Sequence, residues 1–124
     1  MADIIGAMYI SLDTARASDF ATDNSQMLNL ADTFVSSLQS DLQALQNALS
    51  ESDANALKSL LHTLKGYVTF LCNESLARQL IEIEAKAREM TAEQLQPMVN
   101  ALLPALVNMH REVTDWREHL SKGS

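Results

Sequence analysis

An all-α fold, specifically an antiparallel four-helix bundle with a short extra N-terminal helix, is what this 124-residue sequence predicts. Three observations carry the prediction. Turn formers are scarce, with 3 Gly and 2 Pro, while Leu, Ala, Gln, Glu and Met abound. Apolar residues recur at three- and four-residue intervals through four segments. Between those segments stand Asp, Asn and Thr residues suited to cap helix N-termini. A chain of this length holds one core and no more.

Ile4, Ile5, Met8, Tyr9 and Leu12 have helical spacing and predict a short leading helix within an extension spanning 1–22. The polar run from Ser18 to Ser25 offers Asp23 and Asn24 as caps for the next segment. There Met27, Leu28, Leu30, Ala31, Phe34, Val35, Leu38, Leu42, Leu45 and Leu49 form one apolar stripe. Asp53 caps a second long helix expected to run to about Cys72, and Asn73 caps a third carrying Leu76, Leu80, Ile81 and Ile83. Thr91 with Gln94 fits a capping box ahead of the last segment. Its apolar face is Leu95, Val99, Leu102, Leu103, Leu106, Val107, Val113, Trp116 and Leu120, and Pro97 and Pro104 are expected to kink it or delay its start. The bundle is expected over 23–120, with a flexible tail at 121–124.

Charge and cysteine content exclude several classes. Sixteen acidic against nine basic residues give a net charge of -7, with no basic run to neutralise phosphates, so nucleic acid is not an expected partner. Cys72 is the single cysteine, which rules out an intrachain disulfide and fits a reducing compartment; the cytoplasm is expected. Asp3 stands where a secretion signal wants a cation, and no apolar run approaches the roughly 20 residues that span a bilayer. Nothing demands a dimer, and a monomer is expected.

The stretch Leu61-His62-Thr63-Leu64-Lys65-Gly66 holds the chemistry. At about 100° per residue, Leu57, Leu60, Leu61, Leu64, Tyr67, Val68 and Leu71 share one arc, and Lys58, His62, Lys65, Gly66 and Thr69 fall on the other. His62 is therefore expected in solvent, between two lysines one turn away on either side. Gly66 costs the helix about 0.5–1 kcal/mol relative to alanine, and close approach of another molecule beside the ring is a reason to tolerate it. A neutral imidazole is nucleophilic at pH 7, so it can take a phosphoryl group and later surrender it, while a nearby ammonium offsets the arriving charge.

His62-Thr63-Leu64-Lys65-Gly66 resembles the His-x-Leu-Lys-Gly signature of histidine-containing phosphotransfer (HPt) domains. The resemblance extends over roughly residues 27–90. Phe34 stands where the family usually carries an aromatic, Asp53 precedes the histidine helix, and Leu80 through Arg88 resembles the family's Leu-Glu-x-Ala-x-Arg stretch, with Ile83 and Glu84 in the Leu-Glu positions. The resemblance implies a phosphoryl carrier in a two-component phosphorelay, not an enzyme with kinase activity of its own. It would accept phosphate from a receiver-domain aspartyl phosphate and pass it to another receiver. His62 would be the phosphoacceptor and Lys65 the stabiliser of phosphoryl charge. Gly66, Lys58, Thr69 and Phe70 would lie on the receiver-docking face, helped by part of the helix carrying Phe34. The receiver would supply Mg²⁺, so no cofactor is expected on this chain. Tyr67 through Cys72 departs from the pattern: the family follows its glycine with small residues and places another glycine where Cys72 stands.

Other readings compete. A non-catalytic adaptor would present the same face without carrying phosphate. A sensor-kinase phosphoacceptor helix wants an acidic residue after the histidine and a proline beyond, and Thr63 and Gly66 fit neither. His110 and His119 lie nine residues apart without a metal-ligand spacing, and both are expected at the surface or its boundary. Cys72 reads as a partly buried structural thiol. Glu84 reads as a helix-surface carboxylate or packing salt bridge ahead of any direct action on the imidazole.

Overall fold

The computed structural model describes residues 9–123, and they form a 3₁₀ helix, Thr14–Asp19, followed by four α-helices. These are α1 (Asn24–Ser50), α2 (Ala54–Val68), α3 (Glu74–Ala87) and α4 (Ala92–Gly123). The caps are those the sequence offers. Asp23, Asp53 and Asn73 accept the amides of Gln26, Ala56 and Leu76 at 2.8, 3.1 and 2.7 Å. Thr91 and Gln94 close a reciprocal capping box, each side chain accepting the other's amide.

Antiparallel neighbours follow from cross-helix bonds. The α1 start meets the α4 end where the Asn24 amide donates to the Leu120 carbonyl, and the α1 end meets the α4 start where Gln96 donates to the Leu49 carbonyl. The Tyr67 hydroxyl donates to Asp41 at 2.6 Å and ties α2 to α1. The core runs through all four helices: Leu38 and Leu45, Leu57, Leu61, Leu64 and Val68, Leu80, then Leu95, Val99, Leu106, Met109 and Val113 are fully enclosed. Burying one such leucine stabilises the fold by about 1.5–3 kcal/mol.

α1 ends in a Schellman motif. The Asp53 amide donates to the Ala48 carbonyl and the Ser52 amide to the Leu49 carbonyl. Ser52 takes the left-handed position, φ 53°, that glycine usually fills. Its hydroxyl accepts from Gln96 at 3.0 Å, which ties this turn to α4.

Four expectations change. Tyr9 to Leu12 is not helical; the short extra helix falls at Thr14–Asp19 instead, and Ile4, Ile5 and Met8 lie outside the described residues. α2 stops at Val68 rather than near Cys72, because Leu12 and Cys72 form an isolated antiparallel bridge and Asp13 donates its amide to the Leu71 carbonyl. α4 begins at its capping box and runs unbroken past both prolines. Pro97 and Pro104 lie on its exposed side, as do Glu93 and Asn100 four residues earlier, whose carbonyls lose their helical donor and have water within reach. The helix also continues through Ser121 and Lys122 to Gly123, where a flexible tail was expected.

Candidate functional site

His62 stands on α2 with 72% of its side chain exposed, on the side opposite Leu57, Leu61 and Leu64. The expected solvent position holds. The imidazole is nevertheless not free: its Nδ1 lies 2.9 Å from Oε1 of Glu84 on α3, and that carboxylate is 7% exposed. Glu84 occupies the buried stripe of α3, one turn after Leu80 and one before Ala87. Of the two readings of Glu84, the surface carboxylate is corrected and the packing salt bridge is what the structure has, with His62 itself among the partners. Its helix phase turns it into the α2–α3 seam, beneath the ring.

The second carboxylate oxygen, Oε2, lies 3.6 Å from the Lys65 ammonium and 3.5 Å from the Arg88 guanidinium. The hydrogen bond from His62 holds the Glu84 carboxyl below its ordinary range, Lys65 and Arg88 add to that, and burial pushes the other way. Glu84 is thus ionised at neutral pH and can only accept, so Nδ1 carries the proton. The neutral ring then has its lone pair on Nε2. With one anion against two cations, the cluster around a neutral imidazole has a net charge of +1, suited to an arriving anion.

The remaining candidates fall into place around this cluster. Gly66 is exposed on α2, and a Cβ built there meets nothing within 4 Å, so its neighbourhood is open. The Lys58 ammonium donates to the Arg88 carbonyl at the α3 C-terminus at 3.4 Å, and it makes no bond to Glu84. Thr69 is the C-cap of α2; its hydroxyl donates back to the Lys65 carbonyl, and its own carbonyl accepts from Arg16. Phe70 is exposed and packs on Phe20. Phe34 is buried edge-on against Tyr67, so this ring is not available at the surface. Burial and the bond to Asp41 push the Tyr67 hydroxyl pKa up.

Sequence reasoning offered Glu84 a packing salt bridge but ranked direct contact with the imidazole below it, and it gave Arg88 no role beyond its place in the family's stretch. The signal was present: the buried positions 76, 80, 84 and 87 of α3 include a carboxylate. An acid in an apolar stripe needs a partner, and the facing helix presents His62 and Lys65. His119 pairs with Asp115 on the surface, while His110 is half-buried with Nε2 enclosed and unbonded. Among the described residues no group of three His, Cys, Asp or Glu side chains is placed to hold a metal ion, and no helix is long and apolar enough to cross a membrane.

The bundle presents the His62 imidazole on its surface against a buried carboxylate, an arrangement compatible with a group-carrying domain. The Hpt domain family model matches residues 29–117, most of the chain, and the chain belongs to that family of phosphotransfer domains in two-component signalling. No curated protein and no solved structure gave a significant match.

Proposed function

We propose that this protein is a phosphorelay carrier in which His62 accepts a phosphoryl group from a receiver-domain aspartyl phosphate and passes it to another receiver. The bond between His62 Nδ1 and Glu84 is the observation that carries the reading. It favours one tautomer of the exposed ring and leaves the lone pair on Nε2, which in this reading is the nucleophile.

In the transfer, the Nε2 lone pair attacks phosphorus in line with the acyl-phosphate P–O bond. The N–P bond forms, the P–O bond breaks, and the receiver's aspartate leaves as a carboxylate with the bonding electrons. The Nδ1 proton stays between the ring and Glu84, which stabilises the positive charge that the ring acquires. Lys65 has three N–H donors, enough to hold Glu84 and still reach a phosphoryl oxygen. The reverse sequence delivers the group to a second receiver. Mg²⁺ in this proposal arrives with the receiver.

The test is incubation of the chain with radiolabelled, phosphorylated receiver domains from the source organism. Acid-labile, base-stable label on the chain that is lost in His62→Gln supports the carrier. A panel of well-phosphorylated receivers that never labels the wild type would leave the non-catalytic adaptor instead.

A further inference from the structure

Residues 9–20 form an arm whose start is held against the bundle by a buried carboxylate. Glu112 on α4 is 3% exposed. Its Oε1 accepts the amides of Ser11 and Leu12 at 2.7 and 2.8 Å; its Oε2 accepts the Ile10 amide at 2.8 Å and the Asn108 side-chain amide at 3.0 Å. Four donors on one enclosed carboxylate make a firm latch. Beyond it, the arm joins the segment that follows the histidine helix. The Asn73 amide donates to the Ser11 carbonyl, the Asp13 amide to the Leu71 carbonyl, and Arg16 to the Thr69 carbonyl at 3.1 Å.

The latch lays Phe20 against Phe70, with ring centroids 5.2 Å apart and each residue 52% exposed. Single exposed apolar side chains such as Ile81 and Val107 are ordinary, but two exposed aromatic rings in contact make an apolar patch. Phe70 lies two residues past the end of α2; the six residues from His62 to Val68 rise about 9 Å, and Phe70 follows in the next turn. Even a small transient interface, about 600 Å² per partner, is a disc of about 14 Å radius. A partner centred on His62 therefore reaches Phe70, against which Phe20 is packed.

Resting on the phosphoryl-carrier reading, we propose that Phe20 and Phe70 form the apolar anchor for the docked receiver domain, with Glu112 the positioning residue that brings the arm to it. The arm is then a determinant of which receivers bind. Paired aromatic rings suit this use because they bury much area with little loss of rotamer freedom.

The test uses the full chain and the receiver that labels wild-type His62 fastest, with phosphoramidate as a small donor that needs no docking surface. Phe20→Ser and Phe70→Ser are expected to raise the receiver KM at least fivefold, with kcat within twofold and phosphoramidate labelling of His62 unchanged. Glu112→Gln keeps an acceptor for Ser11 and Leu12 but sets an NH₂ against the Ile10 amide. It is expected to show the same KM-only effect, with faster hydrogen exchange at Ile10, Ser11 and Leu12. Val107→Ser, an exposed apolar position on α4, is expected to change neither. Unchanged KM in both phenylalanine variants overturns the inference while the carrier reading stands. So does a wild-type dimer that Phe20→Ser dissociates without altering receiver KM, since the pair then serves a second copy. Failure of every receiver to label the wild type overturns the carrier reading and this inference together.

Discussion

The Glu84 carboxylate lies 2.9 Å from Nδ1 of His62, so an exposed ring is oriented by a buried side chain. Hydrogen bonds to a charged group contribute about 1.5–3 kcal/mol, equivalent to about ten- to a hundredfold in rate if lost at the transition state. Glu84→Ala is expected to slow receiver-to-His62 transfer by about that factor. Glu84→Gln keeps an acceptor and should lose less. Nitrogen NMR of the ring gives an independent check: the proton sits on Nδ1 in the wild type and redistributes toward Nε2 in Glu84→Ala.

The same contact sets a pH dependence. A carboxyl whose folded-state pKa is depressed stabilises the fold above its unfolded value, near 4.5, and loses that contribution as pH falls through the folded value. Wild type and Glu84→Gln should therefore differ in urea midpoint at pH 7 and converge as pH is lowered below 4. A gap that stays constant into the acid range would show that the charge on Glu84 contributes nothing to it.

Lys65 and Lys58 flank His62 one turn away on each side but do different work. Lys65 neutralises Glu84 at 3.6 Å, while Lys58 sits on the α3 C-terminal carbonyl of Arg88. Lys65→Ala is expected to reduce transfer, or the lifetime of the phosphorylated protein, several-fold more than Lys58→Ala. Single-turnover labelling and decay of the purified phosphoprotein measure both quantities. Equal small effects would remove the special place given to Lys65.

Gly66 has open space where a Cβ would go, so the fold does not require it. Replacing it in a helix interior recovers roughly 0.5–1 kcal/mol of stability. Gly66→Gln is thus expected to unfold at a slightly higher temperature and transfer phosphoryl more slowly, because the new side chain occupies the approach to the ring. A more stable variant with an unchanged rate would mean that the partner does not come this close.

Helix phase made the exposure of His62 legible, because the apolar arc of α2 runs from Leu57 to Val68 without interruption. The caps at Asp23, Asp53, Asn73 and Thr91 were legible because capping is a local bond between residues three apart. Glu112 was not recognised, and Glu84 was named without its bond to His62, although each sits within an apolar stripe. Their meaning lies in partners 22 and 100 or more residues away. The early end of α2 was hidden for the same reason: the bridge from Leu12 that replaces its last turn comes from the far end of the chain. Leu12, read as part of a helical stripe, is buried as the sequence suggests, but from an extended segment.

Cys72 departs from the family's glycine, and its surroundings explain how. The residue is fully enclosed, paired with Leu12, and takes no left-handed backbone conformation. The chain turn after α2 is held by the arm instead. Burial pushes the thiol pKa up to about 11, despite the nearby Arg16, so little thiolate exists at neutral pH. Cys72 should resist a thiol-reactive disulfide reagent in the native protein and react at once in denaturant. Cys72→Gly removes an enclosed side chain and adds backbone freedom to the unfolded chain, which together cost about 2 kcal/mol. Urea titration is expected to show that loss, whereas a glycine variant as stable as the wild type would mean that the arm does not replace the glycine turn.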